Sequence, residues 1–316
     1  MKKIFLCTAM LLAVLLLLPL TALNKTETQN LTSTQASAKL PQPSKSATFK
    51  VLISETNQVE EMSAKDYLFG VIAGEMPALY EEEALKAQAV CAYTFALWRQ
   101  KANNDKPYDI TDNFKTDQCY ISREAALKKW GSNAEEYAKK IEKIINETEN
   151  QMLTYNGEII LSVYHAVSGG STESSKNVWG KDYPYLQSVD SVGDKLAKNY
   201  ISEVTVDTAK LKTLLGANEI NGNPFADFTR TTAGTVKTVK ACGKEYKGSE
   251  IREMFDLKSS NFEAEFSDNK IIFTVYGYGH GVGMSQNGAN YMAQQGSDYK
   301  QILAHYYKGC EIENIK

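Results

Sequence analysis

One carboxylate in this chain stands among unusual neighbours. The run Phe69-Gly-Val-Ile-Ala-Gly-Glu-Met-Pro77 sets Glu75 between an apolar segment and a proline. Burial among apolar groups disfavours the charged form of a carboxyl group and raises its pKa. Such a group can donate a proton near neutral pH and take one back, as a general acid and then a base. An ordinary acid in the turn after a helix is the plainer reading of the same residue.

Two further constellations offer chemistry. In Tyr164-His-Ala-Val-Ser-Gly-Gly-Ser-Thr172, Gly169 and Gly170 would let backbone approach a ligand closely. Tyr164, Ser168, Ser171 and Thr172 carry hydroxyls suited to sugars. Trp179, Tyr183 and Tyr185 follow, as faces for sugar rings or as core. In Tyr276-Gly-Tyr-Gly-His-Gly-Val-Gly-Met-Ser-Gln-Asn-Gly-Ala289, glycine alternates from 277 to 283. That density asks for a geometric reason and suits a loop turning His280, Ser285 and Gln286 towards a site. The G-x-S-x-G nucleophile elbow is absent, and the G-x-G pattern lacks a surrounding βαβ unit. The only histidines are His165, His280 and His305. No H-E-x-x-H occurs, and Cys119 has no His or Cys near it in sequence, so no metal and no cofactor is expected.

The elements that position these residues are legible from periodicity. Residues 48–55 alternate as a strand. Ser63 with Asp66 opens a helix over 64–73. Residues 81–101 form the clearest helix, with Leu85, Ala89, Ala92 and Ala96 on one apolar stripe and glutamates 81–83 at its positive end. Gln88 and Tyr93 lie on this helix and could line a cleft with Glu75. Residues 123–150 are helical, 151–167 form two strands about Asn156-Gly157, and 168–196 are loop-like. A strand over 199–206 and a short helix over 207–216 follow, then strands within 224–242 and 261–277. Helices near 286–295 and 298–307 close the chain. Strands and helices mix without a βαβ beat, which makes the class α+β, with helices and antiparallel strands around a central cleft.

The chain has 316 residues and a net charge of −3, without the basic excess of a nucleic-acid binder. Lys2 and Lys3 precede an apolar run from Ile4 to Leu23. Twenty helical residues span ~30 Å, the thickness of a bilayer core. The lysines favour a cytoplasmic tip at 1–3, so residues 4–23 are expected to be a single-pass signal-anchor rather than a cleaved leader. Residues 24–47 are rich in polar residues and proline and read as a flexible linker. Residues 48–310 are then an extracytoplasmic domain of one or two lobes. Cys91, Cys119, Cys242 and Cys310 follow no disulfide-framework rhythm, and Cys91, among small and apolar residues, reads as a buried free thiol.

Taken in order, four segments resemble the stage II sporulation protein D family, which is related to the amidase enhancers. They are Gly70-Val-Ile-Ala-Gly-Glu-Met-Pro77, Glu83-Ala-Leu-Lys-Ala-Gln-Ala-Val90, Val167-Ser-Gly-Gly-Ser-Thr172 with Val178-Trp-Gly180 and Tyr185-Leu186, and Gly279-His-Gly-Val-Gly-Met-Ser-Gln286. The resemblance spans most of 50–308. It implies a lytic transglycosylase that cleaves MurNAc–GlcNAc strands of peptidoglycan to 1,6-anhydro products, with Glu75 as the catalytic group. It also implies partners: a stage II sporulation protein P-like amidase that strips stem peptides, and a stage II sporulation protein M-like membrane scaffold, acting during engulfment of the forespore. The alternative is a non-catalytic glycan binder that enhances a cell-wall amidase. The chain departs from the family pattern at Tyr93, where arginine is common, and it has only Cys119 where some members carry a His/Cys zinc site.

Overall fold

The computed structural model describes residues 47–220 and 222–315. The apolar run at Ile4–Leu23 and the linker up to residue 46 lie outside the described residues. Among the described residues no helix is long and apolar enough to cross a membrane.

Strand β1 (Thr48–Ile53) turns at Asn57 and pairs antiparallel with β2 (Gln58–Ser63). Phe49 and Val51 point one way along the pleat and are fully buried. Ser63 ends β2 and caps α1 (Ala64–Glu75), its Oγ accepting from the Asp66 N–H at 3.1 Å. Seven consecutive residues of α1, Tyr67 to Ala73, are buried. A helix apolar on all sides has to be central, and α1 lies among α2 (Glu82–Ala102), the later helices and the first sheet. Helix α2 is buried continuously from Ala87 to Ala96. Strand β3 (Ile110–Thr111) adds parallel to β1.

The helical stretch expected over 123–150 is two helices, α3 (Arg123–Trp130) and α4 (Ala134–Glu147). Gly131, with φ of 56°, breaks them. Helix α4 buries Ala138, Ile141, Ile144 and Ile145, a three-and-four spacing that lays one stripe on α2 and α3. Strands β4 (Gln151–Tyr155) and β5 (Glu158–Ile159) meet at the Asn156-Gly157 turn, shorter than the expected pair. After β6 (Tyr164–His165), the loop-like region contains a short α-helix, α5 (Ser175–Trp179), and a 3-10 helix at Val192–Leu196.

The next segment builds a second core. It comprises β7 (Ile201–Asp207), α6 (Thr208–Leu215), β8 (Phe225–Arg230), β9 (Val236–Ala241), β10 (Lys244–Lys247), α7 (Gly248–Met254), β11 (Phe262–Ser267) and β12 (Lys270–Tyr276). Two antiparallel sheets, in orders β10-β9-β8 and β11-β12-β7, enclose Phe225, Phe255, Phe262 and Phe273 in edge-to-face and tilted contacts. Helix α7 was not anticipated; it begins where Gly248 packs against the Val236 carbonyl. The chain then returns to the first core through β13 (Met284–Ser285), parallel to β6, and through α8 (Gln286–Gln294) and α9 (Tyr299–Tyr306). The unforeseen β14 (Glu311–Asn314) pairs with β4. The α+β class holds, with the apolar residues divided between a mainly helical core and a β-rich one.

Candidate active site

Glu75 is the last residue of α1 and half-buried. The carbonyl end of a helix disfavours negative charge. Two glycines four residues apart on α1 shape its surroundings. A Cβ on Gly70 would lie 2.3 Å from the Tyr120 ring, and one on Gly74 would lie 2.9 Å from the Cys119 carbonyl. Residues 119–121 therefore cross the helix on a face without side chains. The crossing brings the Cys119 N–H onto Glu75 Oε1 at 2.7 Å. From the other side, Gln286 Nε2 donates to Oε2 at 3.3 Å. Burial pushes the Glu75 pKa above its ordinary value, and the hydrogen bonds from Cys119 and Gln286 offset that only in part.

A polar network backs the carboxyl group. The Tyr164 hydroxyl donates to Gln118 Oε1 at 2.6 Å, and Gln118 Nε2 donates to the Tyr67 hydroxyl at 2.9 Å. Gln88 is fully buried on α2, its Oε1 3.5 Å from Gln286 Nε2 and its own Nε2 without a partner among the described residues. Glu75, Gln88, Tyr164 and Gln286 thus come together from three distant stretches of sequence. Gln118 and Tyr67 were not singled out from the sequence. The available signal was the Gly70/Gly74 spacing, which announces a crossing segment but not which one.

The two glycine-bearing constellations form one wall. Gly283, with φ of 73°, would place a Cβ 2.0 Å from the Val163 carbonyl, so the loop lies backbone to backbone against 163–167. Val167 and Tyr278 exchange backbone bonds there. His280 accepts the Val282 N–H on Nδ1 at 3.0 Å and lies 5.4 Å, ring to ring, from Trp179 and 5.8 Å from His165. Burial, then His165, then Arg252 push its pKa down to about 3, so the imidazole is neutral. His165 Nδ1 faces the Val282 carbonyl at 3.2 Å, which places its proton there.

The hydroxyls proposed for sugar contact are instead engaged inside the wall. Ser285 Oγ donates to Asp194 Oδ1 at 2.7 Å while accepting the Gly288 N–H at the start of α8. Ser168 Oγ accepts the Gly170 N–H, and Thr172 Oγ1 accepts the Val189 N–H at 3.0 Å. All three side chains are buried. Gly169 makes room for Asn261 and Gly170 for Lys195, so their close approaches are to this chain. Tyr93 packs in the first core, its ring 6.2 Å from Phe49, with a buried hydroxyl that has no partner among the described residues. It adds to the core rather than to the carboxyl group. Cys91 is buried, its Sγ donating to the Tyr307 hydroxyl.

Fold and site together define a class: an α+β protein with two cores and a half-buried carboxyl group held by a backbone amide and a glutamine side chain. A family model described as Stage II sporulation protein matches residues 53–155. The chain is 36% identical over 286 residues to the stage II sporulation protein D of Bacillus subtilis (strain 168), covering 89% of this chain and 83% of that protein. It is 36% identical over 263 residues to the protein of the same name from Bacillus amyloliquefaciens, covering 82% and 76%. A more distant relative is the amidase enhancer of B. subtilis, 28% identical over 300 residues, covering 78% of this chain and 40% of that protein. The chain belongs to the stage II sporulation protein D family.

Proposed function

We propose that this protein acts on the cell wall during sporulation as a lytic transglycosylase, cleaving MurNAc–GlcNAc glycan strands with Glu75 as its one acid/base group. The observation that carries the reading is the environment of Glu75: desolvated, at a helix C-terminus, and held by the Cys119 N–H and Gln286. More deeply buried carboxylates are occupied within the fold: Asp194 by Ser168, Ser285 and Asn287, Glu173 by Asn177 and Thr231, and Asp117 by Arg99 and Thr111.

One carboxyl group suffices for the chemistry. Protonated Glu75 gives its proton to the glycosidic oxygen as the bond from the anomeric carbon of MurNAc breaks. The resulting carboxylate takes the proton of the sugar's own C6 hydroxyl as that oxygen attacks the anomeric carbon. The product is a 1,6-anhydro sugar, Glu75 is protonated again, and no water is consumed. This differs from the paired carboxylates of ordinary glycosidases. Mass spectrometry of digested, peptide-free glycan tests it. Wild type should yield anhydromuramic ends, and Glu75→Gln should lower their rate of release by about 100-fold or more. An equal rate from the variant would remove Glu75 from this role.

The amidase-enhancer relative supports a second reading, a non-catalytic glycan binder that stimulates an amidase. Anhydromuramic ends absent from wild-type digests, with amidase release still stimulated, would select it. In either reading the Ile4–Leu23 run would tether the domain beside a membrane scaffold and a partner amidase.

A further inference from the structure

Helix α1 ends at Glu75, and the carbonyls of its last turn lack partners within the helix. Lys129, in the last turn of α3, donates from Nζ to the Ala73 carbonyl at 3.0 Å. After Glu75 the chain turns at Pro77, where the Tyr80 N–H donates to the Pro77 carbonyl at 3.0 Å. Lys140 of α4 reaches this turn and donates from Nζ to the Ala78 carbonyl at 2.9 Å and to the Tyr80 carbonyl at 2.6 Å. The next amide, that of Glu81, donates to Asn290 Oδ1 at 2.8 Å. Asn290 is buried on α8, one turn along the same face from Gln286, which itself holds Glu75. Residues 73–81 are thus tied by side chains of three helices.

The two lysines differ from their neighbours in what they bind. On α4, Lys139 and Lys143 pair with Glu135 and Glu82. No carboxylate among the described residues lies within ion-pair reach of Lys129 or Lys140, although the chain has 38 acidic against 35 basic side chains. Lys140 is half-buried, and its three donors let one group tie two carbonyls of one turn. Lys129 also acts through its charge, because the carbonyl end of a helix opposes a carboxylate and an ammonium there counters it. The titratable groups facing Glu75, the Tyr67 and Tyr164 phenols and the Cys119 thiol, are pushed up by burial and uncharged near neutrality. Charged groups on the surrounding elements are engaged elsewhere: Arg123 with Glu142, Glu83 with Lys86, Asp117 with Arg99, and Asp112 with Ser54.

We propose that Lys129 and Lys140 are positioning residues for Glu75: Lys140 pins the turn that follows it, and Lys129 sets a positive charge on the helix end that its carboxylate faces. The inference rests on the reading of Glu75 as the acid/base group and deepens it. When Glu75 gives its proton to the glycosidic oxygen, the new negative charge forms at a helix C-terminus, and Lys129 offsets the unfavourable dipole there. Lys140 meanwhile keeps the chain beyond Glu75 from drifting as that charge appears.

Three measurements on the full chain test this. Carbon-13 NMR of the Glu75 carboxyl follows its titration with no substrate present. Lys129→Met should move that titration up by about half a pH unit, because a nearby positive charge favours the ionised form. Hydrogen exchange at the amides of residues 78–81 should quicken about tenfold in Lys140→Met, while thermal melting stays cooperative. Release of anhydromuramic ends from peptide-free glycan should show kcat lowered about tenfold or more in Lys140→Met, with KM within about twofold. The exposed neighbour variant Lys139→Met should match wild type within about twofold. If Lys140→Met does not fold, the titration of Lys129→Met decides. A Glu75 titration that stays in place or moves down in Lys129→Met, or a kcat for Lys140→Met within twofold of wild type, overturns the inference. With wild-type turnover intact, that outcome leaves the transglycosylase reading standing. A raised titration and faster exchange with no anhydromuramic product from wild type have the opposite meaning: the two lysines hold Glu75, and the enzymatic reading fails.

Discussion

Glu75 shows how one side chain acquires an unusual proton affinity from what surrounds it. Burial and the helix C-terminus oppose its charge, while the hydrogen bonds from Cys119 and Gln286 favour it, and burial wins. The sign has a kinetic consequence. A step that requires protonated Glu75 is available below its pKa and lost as pH rises through it, so the falling limb of the rate profile belongs to this group. Gln286 donates to the ionised form and pulls the pKa down. Gln286→Leu should therefore move the falling limb to higher pH, as read from kcat/KM for release of anhydromuramic ends. A limb that stays in place or moves to lower pH would take Gln286 out of the carboxyl environment. His280, already neutral, should contribute no limb near neutrality.

At the scale of elements, the crossing of α1 by residues 119–121 matters most. The backbone amide of Cys119 is placed only as well as that crossing is tight, and Gly74 is the glycine against which Cys119 itself packs. An added methyl at Gly74 would meet the Cys119 carbonyl at 2.9 Å and its Sγ at 3.0 Å, and backbone cannot yield as a flexible side chain can. Gly74→Ala should displace the donor to Glu75 and lower turnover by roughly 100-fold, the scale expected of a misplacement near 1 Å. Far-ultraviolet circular dichroism should stay close to wild type. Turnover within about twofold of wild type would mean that the segment can shift without disturbing the carboxyl group. Helix α2 answers the same demand differently. Its small residues let the first core close around it, and Tyr93 joins that core, although its place on the helix that follows Glu75 suggested a cleft residue.

At the largest scale, the described residues form two cores joined at the glycine-rich wall. Glu173 is a side-chain tie between them, buried, accepting from Asn177 Nδ2 at 3.2 Å on one side and from Thr231 Oγ1 on the other. Its backbone N–H also donates to the Gly281 carbonyl. Thr231→Val keeps the volume but leaves the carboxylate one donor short. It should cost about 1–3 kcal/mol of stability in urea unfolding and raise KM for glycan, because the second core would be held less firmly against the first. Unchanged stability and KM would show that the junction rests on its backbone contacts alone.

Local order was legible from the chain itself. Ser63 and Asp66 mark a helix start, the three-and-four spacing marks α2, and Asn156-Gly157 marks a hairpin, because each signal acts within a few residues. The four ordered segments likewise identified the family and pointed to Glu75. Breaks and short elements escaped, since Gly131, α7 and β14 depend on what they pack against. The site was less legible still. Ser168, Thr172 and Ser285 look in sequence like hydroxyls facing a ligand, and the fold turns them inwards to hold a wall. Gly70 and Gly74 look like ordinary permissive residues until 119–121 lies across them. Sequence alone determined the longer elements and the family, and drew attention to Glu75, because propensity and neighbouring residue types are short-range. Tertiary structure decided what surrounds that group, because a hydrogen bond spanning the 211 residues between Glu75 and Gln286 exists only after α1 and the start of α8 have met in the first core.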